Sequence, residues 1–309
     1  MSVLRLATRT SALAGAQSRQ VADRLRSAAG CTVVLVPIRS VGDVDRGPLA
    51  QIGGSGVFVS RLREALLRGE ADLAVHSLKD LPTAGAEGIT LAAVPPREDP
   101  RDVVVARDGL TLGGLPQGSV VGTGSPRRAA QLHALGLGLH IAPIRGNVET
   151  RLRLVTDGRV DAVVLAKAGL TRLGRLGEVT EVLDPLQMLP APGQGALGVE
   201  CRTEEPALVA MLASALDDPP SRTVVTAERS LLAALEAGCS APVGALADIA
   251  LGDDGDELWL RAVAVAPDGA RMVRMSSTGP PGDAVSVGEA LAADMLAEGA
   301  SSLIQECAS

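Results

Sequence analysis

Strand-like and helix-like patterns alternate along the chain up to about residue 200, and this alternation restricts the fold more than any other feature. VLRLAT (residues 3–8) alternates apolar and polar side chains, and the segment after it has helical spacing behind Ser11, a residue type that caps helices. Further strand-like runs are VVLVPI, ADLAVHS, DVVVA, SVVGTG, IAPIRG and VDAVVLA. Strands that alternate with helices form sheets covered by helices, so the pattern predicts two α/β lobes.

Proline-rich and charged segments indicate where the lobes meet and where they end. VPPREDPRD (94–102) is interpreted as a crossing between lobes, and LPAPGQGALGVEC (189–201) ends in a strand that could return to the first lobe. DDPPS (217–221) is interpreted as a linker. We therefore predict a first lobe of residues 1–95 and 196–216, a second lobe of residues 96–195, and a third domain of residues 217–309.

The third domain has a different pattern from the lobes. RTVVTAERSLLAALEAG predicts an amphipathic helix that ends at Gly238. ELWLRAVAVA and ARMVRMSST flank PDG, a hairpin turn signal, and an Ala- and Leu-rich helix follows. This order predicts a small C-terminal α+β domain with an antiparallel sheet.

Composition and charge exclude several classes of partner. The 309-residue chain is 46% hydrophobic, and its only aromatic residues are Phe58 and Trp259, which argues against surfaces that stack on bases or sugars. The formal net charge of −7 also argues against nucleic acid, because proteins that follow a phosphate backbone normally carry a basic face.

The cysteines and the N-terminal residues bear on metals and on location. Cys31, Cys201, Cys239 and Cys307 form no CxxC pair and have no nearby histidines at metal-binding spacing, so we expect reduced thiols and no metal. Arginines interrupt the apolar runs near the N-terminus, and no stretch reaches membrane-spanning length. We expect a cytoplasmic protein without membrane contact.

Two arginine motifs point to an anionic ligand. GTGSPRR (122–128) and PIRGNVETR (143–151) each follow a strand-like run and each begin a helix, which places Arg127, Arg128, Arg145 and Arg151 at strand-to-helix turns. Free N–H groups and the helix dipole favour anions at such turns, and guanidinium groups strengthen this preference. The sequence therefore predicts a polyanionic ligand.

Two further segments carry candidate chemistry. Ser77, Lys79 and Asp80 follow His76 at the carboxyl end of a predicted parallel strand, where open α/β sheets bind ligands. His76 itself is interpreted as structural. Cys239 lies in AGCSAPVG, just beyond a predicted helix. Two interpretations are open: Cys239 is an attachment site or nucleophile, or it is a small buried residue that packs like an apolar one. The other cysteines, together with His133 and His140, are interpreted as structural or surface residues.

Eight segments, in order along nearly the whole chain, resemble the porphobilinogen deaminase (hydroxymethylbilane synthase) family. They are LRLATRTS, AVHSLKDLP, REDPRD, GTGSPRR, IRGNVETR, LAKAGLTRLG, PGQGALGVEC and TAERSLLAALEAGCSAPVG. The resemblance implies two periplasmic-binding-protein-like lobes around a cleft, plus a small third domain whose cysteine holds the cofactor. It also implies an enzyme that joins four porphobilinogen molecules with loss of ammonia and releases hydroxymethylbilane. We expect this enzyme to be a monomer.

The resemblance also implies roles for particular residues. Cys239 would hold a dipyrromethane cofactor through a thioether, and Asp80 would be the catalytic carboxylate. Substrate contacts would come from Arg9, Ser11, Gln17, Arg145 and Arg151. Contacts with the cofactor or the growing chain would come from Ser77, Lys79, Thr123, Ser125, Arg127, Arg128, Arg172 and Gln194. Phe58 would either stack on a pyrrole ring or pack in a core.

Some positions depart from the family pattern, and two other functions stay open. Ser55 stands in a Gly-rich loop where lysine is common, Gly124 and Pro126 replace a serine and an aliphatic residue, and SAP follows Cys239 where a glutamine is frequent. One alternative is a non-catalytic anion receptor of periplasmic-binding-protein type, which would need no cysteine. The other is a different group-transfer enzyme that uses a Cys239 thiolate and a general base.

Overall fold

The computed structural model describes residues 3–38, 57–238, 241–252 and 255–307, with the backbone alone at residues 57 and 58. It divides into two compact units. One contains Met1–Glu98 and Ala196–Arg222, and the other contains Asp99–Gly195 and Thr223–Ser309. None of the described helices combines the length and the hydropathy needed to cross a membrane.

The first unit is built on a five-stranded sheet in the order β2-β1-β3-β10-β4. Its strands are β1 (Val3–Arg9), β2 (Thr32–Ile38), β3 (Leu73–Ser77), β4 (Ile89–Ala93) and β10 (Leu197–Arg202). Strand β1 pairs in parallel with β2 and β3, whereas β10 runs antiparallel to β3 and β4. The expectation that a strand near residue 200 returns to the first lobe's sheet is confirmed.

Helices cover this first sheet. They are α1 (Ala12–Ala29), α2 (Val57–Leu67) and α6 (Pro206–Leu216). Ser11 caps α1 by accepting a hydrogen bond from the backbone N–H of Ala14, and Gly30 ends the helix in the left-handed conformation. Buried aliphatic side chains from α1, α6 and the sheet form one core, which includes Leu6, Leu25, Leu73 and Leu212.

The second unit contains another five-stranded sheet, in the order β7-β6-β8-β5-β9. Its strands are β5 (Asp102–Ala106), β6 (Val120–Thr123), β7 (His140–Pro143), β8 (Ala162–Ala166) and β9 (Glu181–Val182). Strand β6 is parallel to β7 and β8, and β5 is antiparallel to β8 and β9. The helices of this sheet are α3 (Pro126–Ala134), α4 (Val148–Thr156) and α5 (Lys167–Arg172).

The second unit also contains the C-terminal elements from Thr223 onward, so the division between the units falls within the first helix of this region. Helix α7 (Pro219–Ala234) leads to an antiparallel sheet of β11 (Val243–Gly252), β12 (Gly255–Val265) and β13 (Met272–Gly279), which α8 (Ala284–Ala297) and α9 (Ala300–Glu306) follow. The predicted hairpin corresponds to β12 and β13. Trp259 lies on β12 with 49% of its surface exposed, and its indole N–H donates to Glu257.

Two mixed α/β sheets and a separate antiparallel sheet confirm the predicted fold class. The division into three domains at residues 95, 195 and 216 stays a prediction. The interpretation of residues 217–221 as a linker is wrong, because Pro219 and Pro220 begin helix α7. Proline suits the first turn of a helix, and the Asp218 carboxylate accepts a hydrogen bond from the N–H of Ser221 at 3.0 Å. The helix also ends at Ala234, before the predicted Gly238, because Glu236 adopts a left-handed conformation.

Candidate active site

Both arginine motifs lie at strand-to-helix turns, as predicted. Ser125 caps α3, where its hydroxyl accepts a hydrogen bond from the backbone N–H of Arg128. The Thr123 hydroxyl at the end of β6 accepts a hydrogen bond from the N–H of Ser125 at 3.2 Å. Asn147 caps α4 by accepting from the N–H of Thr150 at 2.9 Å. Local capping therefore fixes how both helices begin.

Gly124 allows the two motifs to approach each other closely. A Cβ atom on this residue would lie 2.5 Å from the carbonyl oxygen of Ile144 and 3.6 Å from Nη2 of Arg151. Any residue with a Cβ atom here would require the Ile144 backbone to shift. Glycine at this position lets the turn after β6 pack directly against the turn before α4.

The two adjacent arginines of α3 are buried against one carboxylate. Nη2 of Arg127 lies 2.7 Å from Oδ2 of Asp102, and Nη2 of Arg128 lies 2.8 Å from Oδ1. Arg127 also donates to the carbonyl oxygen of Leu189, and Arg128 donates to that of Val164 at 3.0 Å. Burial alone would raise the pKa of Asp102, but the charges of Arg127 and Arg128 hold this pKa well below its usual range.

Gln194 belongs to the same buried network. Its side-chain amide donates to Oδ1 of Asp102 at 2.8 Å and to the carbonyl oxygen of Pro100 at 2.6 Å. Asp102 was not among the predicted site residues, although it begins the buried run DVVVA, where a carboxylate is unusual. A carboxylate at the start of a buried strand was the one sign in the sequence that Asp102 belongs to the site. The sequence could not show which residues pair with Asp102, because they are distant in the chain.

This part of the second unit has more positive than negative charge. Nε of Arg151 donates to the carbonyl oxygen of Gly146 at 2.9 Å, and no carboxylate of the described chain pairs with this guanidinium. Burial and the neighbouring charge of Arg128 lower the pKa of Arg151. The buried Nε of Arg127 has no hydrogen-bond partner among the described residues. An anionic ligand beside Arg151 would offset this excess of positive charge.

The remaining predicted arginines of this unit differ in their surroundings. Arg145 is exposed in the turn that follows Ile144. Arg172, in the last turn of α5, is partly buried, and its Nη2 donates to the carbonyl oxygen of Gly195 at 2.7 Å. Thus the second unit contains Thr123, Ser125, Arg127, Arg128, Arg145, Arg151, Arg172 and Gln194.

The first unit places Asp80 in a short 3-10 helix (Leu78–Asp80) that directly follows β3. The N–H of Leu78 donates to the carbonyl oxygen of Ala196, and the buried side chain of Leu78 anchors the turn. Asp80 and Lys79 are partly exposed. An anchored turn at the end of a strand holds the Asp80 carboxylate near solvent, where a ligand can reach it.

Other predicted residues of the first unit lie on β1, α1 and β3. The Gln17 side-chain amide donates a hydrogen bond to the Ser77 hydroxyl at 2.8 Å, so these two residues are neighbours. The roles predicted for Gln17 and Ser77 stay predictions. Ser11 caps α1, and Arg9 ends β1. The first unit thus contains Arg9, Ser11, Gln17, Ser77, Lys79 and Asp80.

His76 is buried, in agreement with its structural interpretation. Its Nε2 lies 3.2 Å from Oε2 of Glu200, and Arg63 of α2 pairs with the same carboxylate at 2.7 Å. Burial alone would raise the pKa of Glu200, but the neighbouring His76 and the hydrogen bonds from Arg63 lower it to about 2. Sequence reasoning missed this pairing of α2 with β10, because Arg63 and Glu200 are 137 residues apart.

Some predicted residues lie outside the described part of the chain. They are Cys239, Ser55 and the side chain of Phe58. Among the other cysteines, Cys31 and Cys201 are buried and Cys307 is partly buried. Burial raises the pKa of the Cys201 thiol to about 11, so this sulfur is a poor nucleophile near neutral pH.

Comparisons with known proteins cover almost the whole chain. Residues 4–210 match the family model "Porphobilinogen deaminase, dipyromethane cofactor binding domain", and residues 223–297 match "Porphobilinogen deaminase, C-terminal domain". Porphobilinogen deaminase 1 of Streptomyces coelicolor is 58% identical, with 98% of each chain covered. Porphobilinogen deaminase of Mycobacterium tuberculosis is 55% identical, again with 98% of each chain covered.

Among solved structures, the methionine binding protein MetQ matches 69% of this chain and 89% of its own, at 12% identity and a TM-score of 0.45. The two family models and the curated relatives agree with the motifs and their order. The chain belongs to the porphobilinogen deaminase family.

Proposed function

We propose that Asp80 is the catalytic carboxylate and Cys239 the cofactor attachment site of the porphobilinogen deaminase reaction in this chain. The reaction joins four porphobilinogen molecules head to tail with loss of ammonia, and hydrolysis then releases hydroxymethylbilane. The excess of positive charge around Arg151 carries the proposal. Each pyrrole brings an acetate and a propionate, and a growing chain of pyrroles needs fixed cations to neutralise them.

Arg151, with Arg145 and Arg9, is proposed to bind the carboxylates of the incoming substrate. A charge-assisted hydrogen bond contributes roughly 1.5–3 kcal/mol, so a few such bonds suffice for specific binding. Ser11 and Gln17 are proposed to support these contacts in the first unit. Arg127 and Arg128 are held by Asp102, so their guanidinium planes are already oriented before a ligand arrives.

Asp80 is proposed to stabilise positive charge that develops on the pyrrole as ammonia leaves, and to accept hydrogen bonds from pyrrole N–H groups. Two unit charges about 4 Å apart at an effective dielectric constant near 20 interact by roughly 4 kcal/mol, which corresponds to about a thousandfold in rate. The position of Asp80 at the end of a strand, on a turn anchored by Leu78, suits a carboxylate that must keep one orientation.

The residues of the second unit fit a dipyrromethane cofactor. When bound, this cofactor supplies the pyrrole carbon at which chain growth begins. Arg172, which is partly buried in the last turn of α5, offers a cationic hydrogen-bond donor for its carboxylates, and Arg127, whose side chain is buried against Asp102, is proposed to add fixed positive charge to the site. Further contacts with the cofactor or the growing chain are proposed for Ser77, Lys79, Thr123, Ser125, Arg128, Arg172 and Gln194.

The alternative of a non-catalytic anion receptor is not favoured, because both family models and the curated relatives are those of deaminases. The monomeric state and the cytoplasmic location stay predictions, as does the choice between stacking and core packing for Phe58.

The proposal is tested by the intact mass of the purified protein beside that of Cys239→Ser. We expect the wild type, after incubation with porphobilinogen, to carry an excess equal to one dipyrromethane, and we expect the variant to carry none. Cys307→Ser is the matched control and should load as the wild type does. A wild type that stays unmodified after the incubation would refute the proposed function, and a loaded Cys239→Ser variant would move the attachment to another residue.

Replacing Arg151 by Ala should weaken substrate binding without weakening the fold. We expect KM for porphobilinogen to rise roughly 10- to 100-fold, since one charge-assisted contact is lost. The melting temperature should stay equal or rise slightly, because the substitution removes a positive charge that repels Arg128. Steady-state kinetics and thermal unfolding check both parts, with the exposed Arg159→Ala as control. An unchanged KM would exclude Arg151 from substrate binding.

A further inference from the structure

A segment of the second unit contacts both the arginine helix α3 and the two elements that precede and follow Cys239 in sequence. This connecting segment comprises residues 189–195, LPAPGQG. It includes Gln194 and therefore ends in the Asp102 network. Its other residues are bound by the side chains of Gln131 and Glu228, and the roles proposed above do not include these two residues.

On one side, the connecting segment is held by α3. Gln131, which is buried, donates from its amide nitrogen to the carbonyl oxygen of Leu189 at 3.0 Å and accepts from the N–H of Leu189 at 2.8 Å. Arg127, one turn earlier on α3, donates to the same carbonyl oxygen. The Gln131 amide thus forms hydrogen bonds with both the N–H and the carbonyl group of Leu189. These two bonds fix the position of Leu189 relative to helix α3.

On the other side, the connecting segment is held by α7 and β11. The buried Glu228 carboxylate of α7 accepts from the N–H of Gly193 at 2.6 Å and from the N–H of Ala247 at 2.9 Å. The N–H of Ala245 donates to the carbonyl oxygen of Pro190 at 2.9 Å. A Cβ atom on Gly244 would lie 2.8 Å from the carbonyl oxygen of Leu189, so only glycine permits this approach.

We propose that Gln131 is a positioning residue for cofactor attachment, acting through the connecting segment. Helix α7 ends five residues before Cys239, and β11 begins four residues after it. The Gln131 amide therefore links the helix that carries Arg127 and Arg128 to the two elements that flank Cys239 in the sequence. This inference rests on the proposed function, since it assigns Gln131 a part in bringing the attachment cysteine to the cofactor-binding arginines.

The test uses Gln131→Glu, which keeps the size of the side chain but places a carboxylate oxygen against the carbonyl oxygen of Leu189. Apoprotein is incubated with porphobilinogen at a temperature well below unfolding, and the gain of one dipyrromethane is followed by intact mass. We expect the rate of loading to fall about tenfold or more, because a buried hydrogen bond is replaced by repulsion. Amide hydrogen exchange should also become faster in peptides that contain Leu189 and Gly193.

The control is Gln187→Glu, which introduces the same charge at an exposed position two residues before the connecting segment. It should load and exchange as the wild type does. A second variant, Gln131→Met, keeps the apolar volume and removes both hydrogen bonds without adding charge. It should load more slowly as well, and this separates the lost hydrogen bonds from a charge effect.

Each other outcome counts against the proposal. Wild-type loading in either folded Gln131 variant, even with a lower melting temperature, would show that Gln131 serves stability alone. Loss of helical and sheet structure in both variants would likewise make it a structural residue and overturn the positioning role. A wild type that gains no mass would instead refute the proposed function itself, so the two failures are distinguishable.

Discussion

Asp80→Asn should retain the dipyrromethane adduct and the wild-type melting temperature, yet lose about a thousandfold in turnover. The amide has the shape of the carboxylate but no negative charge, so it cannot stabilise the cation that forms as ammonia leaves. A charge interaction of roughly 4 kcal/mol in a partly desolvated site corresponds to that factor. Intact mass, thermal unfolding and kcat on one preparation measure all three quantities.

Asp23→Asn provides the control for this experiment. Asp23 is an exposed aspartate of the same unit, on α1, and its pair with Arg26 at the surface should contribute little. We expect wild-type kinetics from it. A kcat for Asp80→Asn within a few-fold of the wild type would remove Asp80 from the chemical step, whereas loss of the adduct as well would assign it to cofactor assembly.

Asp102→Asn should destabilise the second unit by about 3–5 kcal/mol, because it leaves the guanidinium groups of Arg127 and Arg128 buried without a counter-charge. For a unit of this size the melting temperature should fall by about 10 °C. The control is Asp248→Asn, since Asp248 pairs with Arg261 at an exposed position and should change the melting temperature only slightly.

The effect of Asp102→Asn should also depend on pH. Since the folded protein lowers the pKa of Asp102, the stability that its ionised form contributes is fully present above the ordinary aspartate pKa. That contribution is lost as the pH falls through the lowered pKa, so the gap between the wild type and the variant should narrow in acid. Equal melting temperatures at neutral pH would show that Arg127 and Arg128 do not need this carboxylate in the folded protein.

The features that could be predicted from sequence are those that neighbouring residues determine. Ser11 and Ser125 cap helices through hydrogen bonds three residues away, and the motifs GTGSPRR and PIRGNVETR begin helices after strands for the same local reason. The return of β10 to the first sheet could also be anticipated, because the strand pattern GALGVEC follows the second lobe.

The features that sequence reasoning missed depend on pairs that are distant in the chain. Asp102 meets Arg127 and Gln194 across 25 and 92 residues, and Glu200 meets Arg63 across 137. The arginines of α3 were expected to face a ligand, whereas the structure places them in a buried network. Residues 217–221 were misinterpreted because two adjacent prolines suggest a linker, although the same prolines are compatible with the first turn of a helix.

The half-exposed Trp259 gives the protein an unusual optical property. The chain contains one tryptophan and no tyrosine, so its own absorbance in the near ultraviolet is weak and comes almost entirely from β12. Pyrrole-derived chromophores attached to the protein would therefore be measured against a nearly transparent background. Fluorescence from this single indole would in turn report on the antiparallel sheet alone, without labelling.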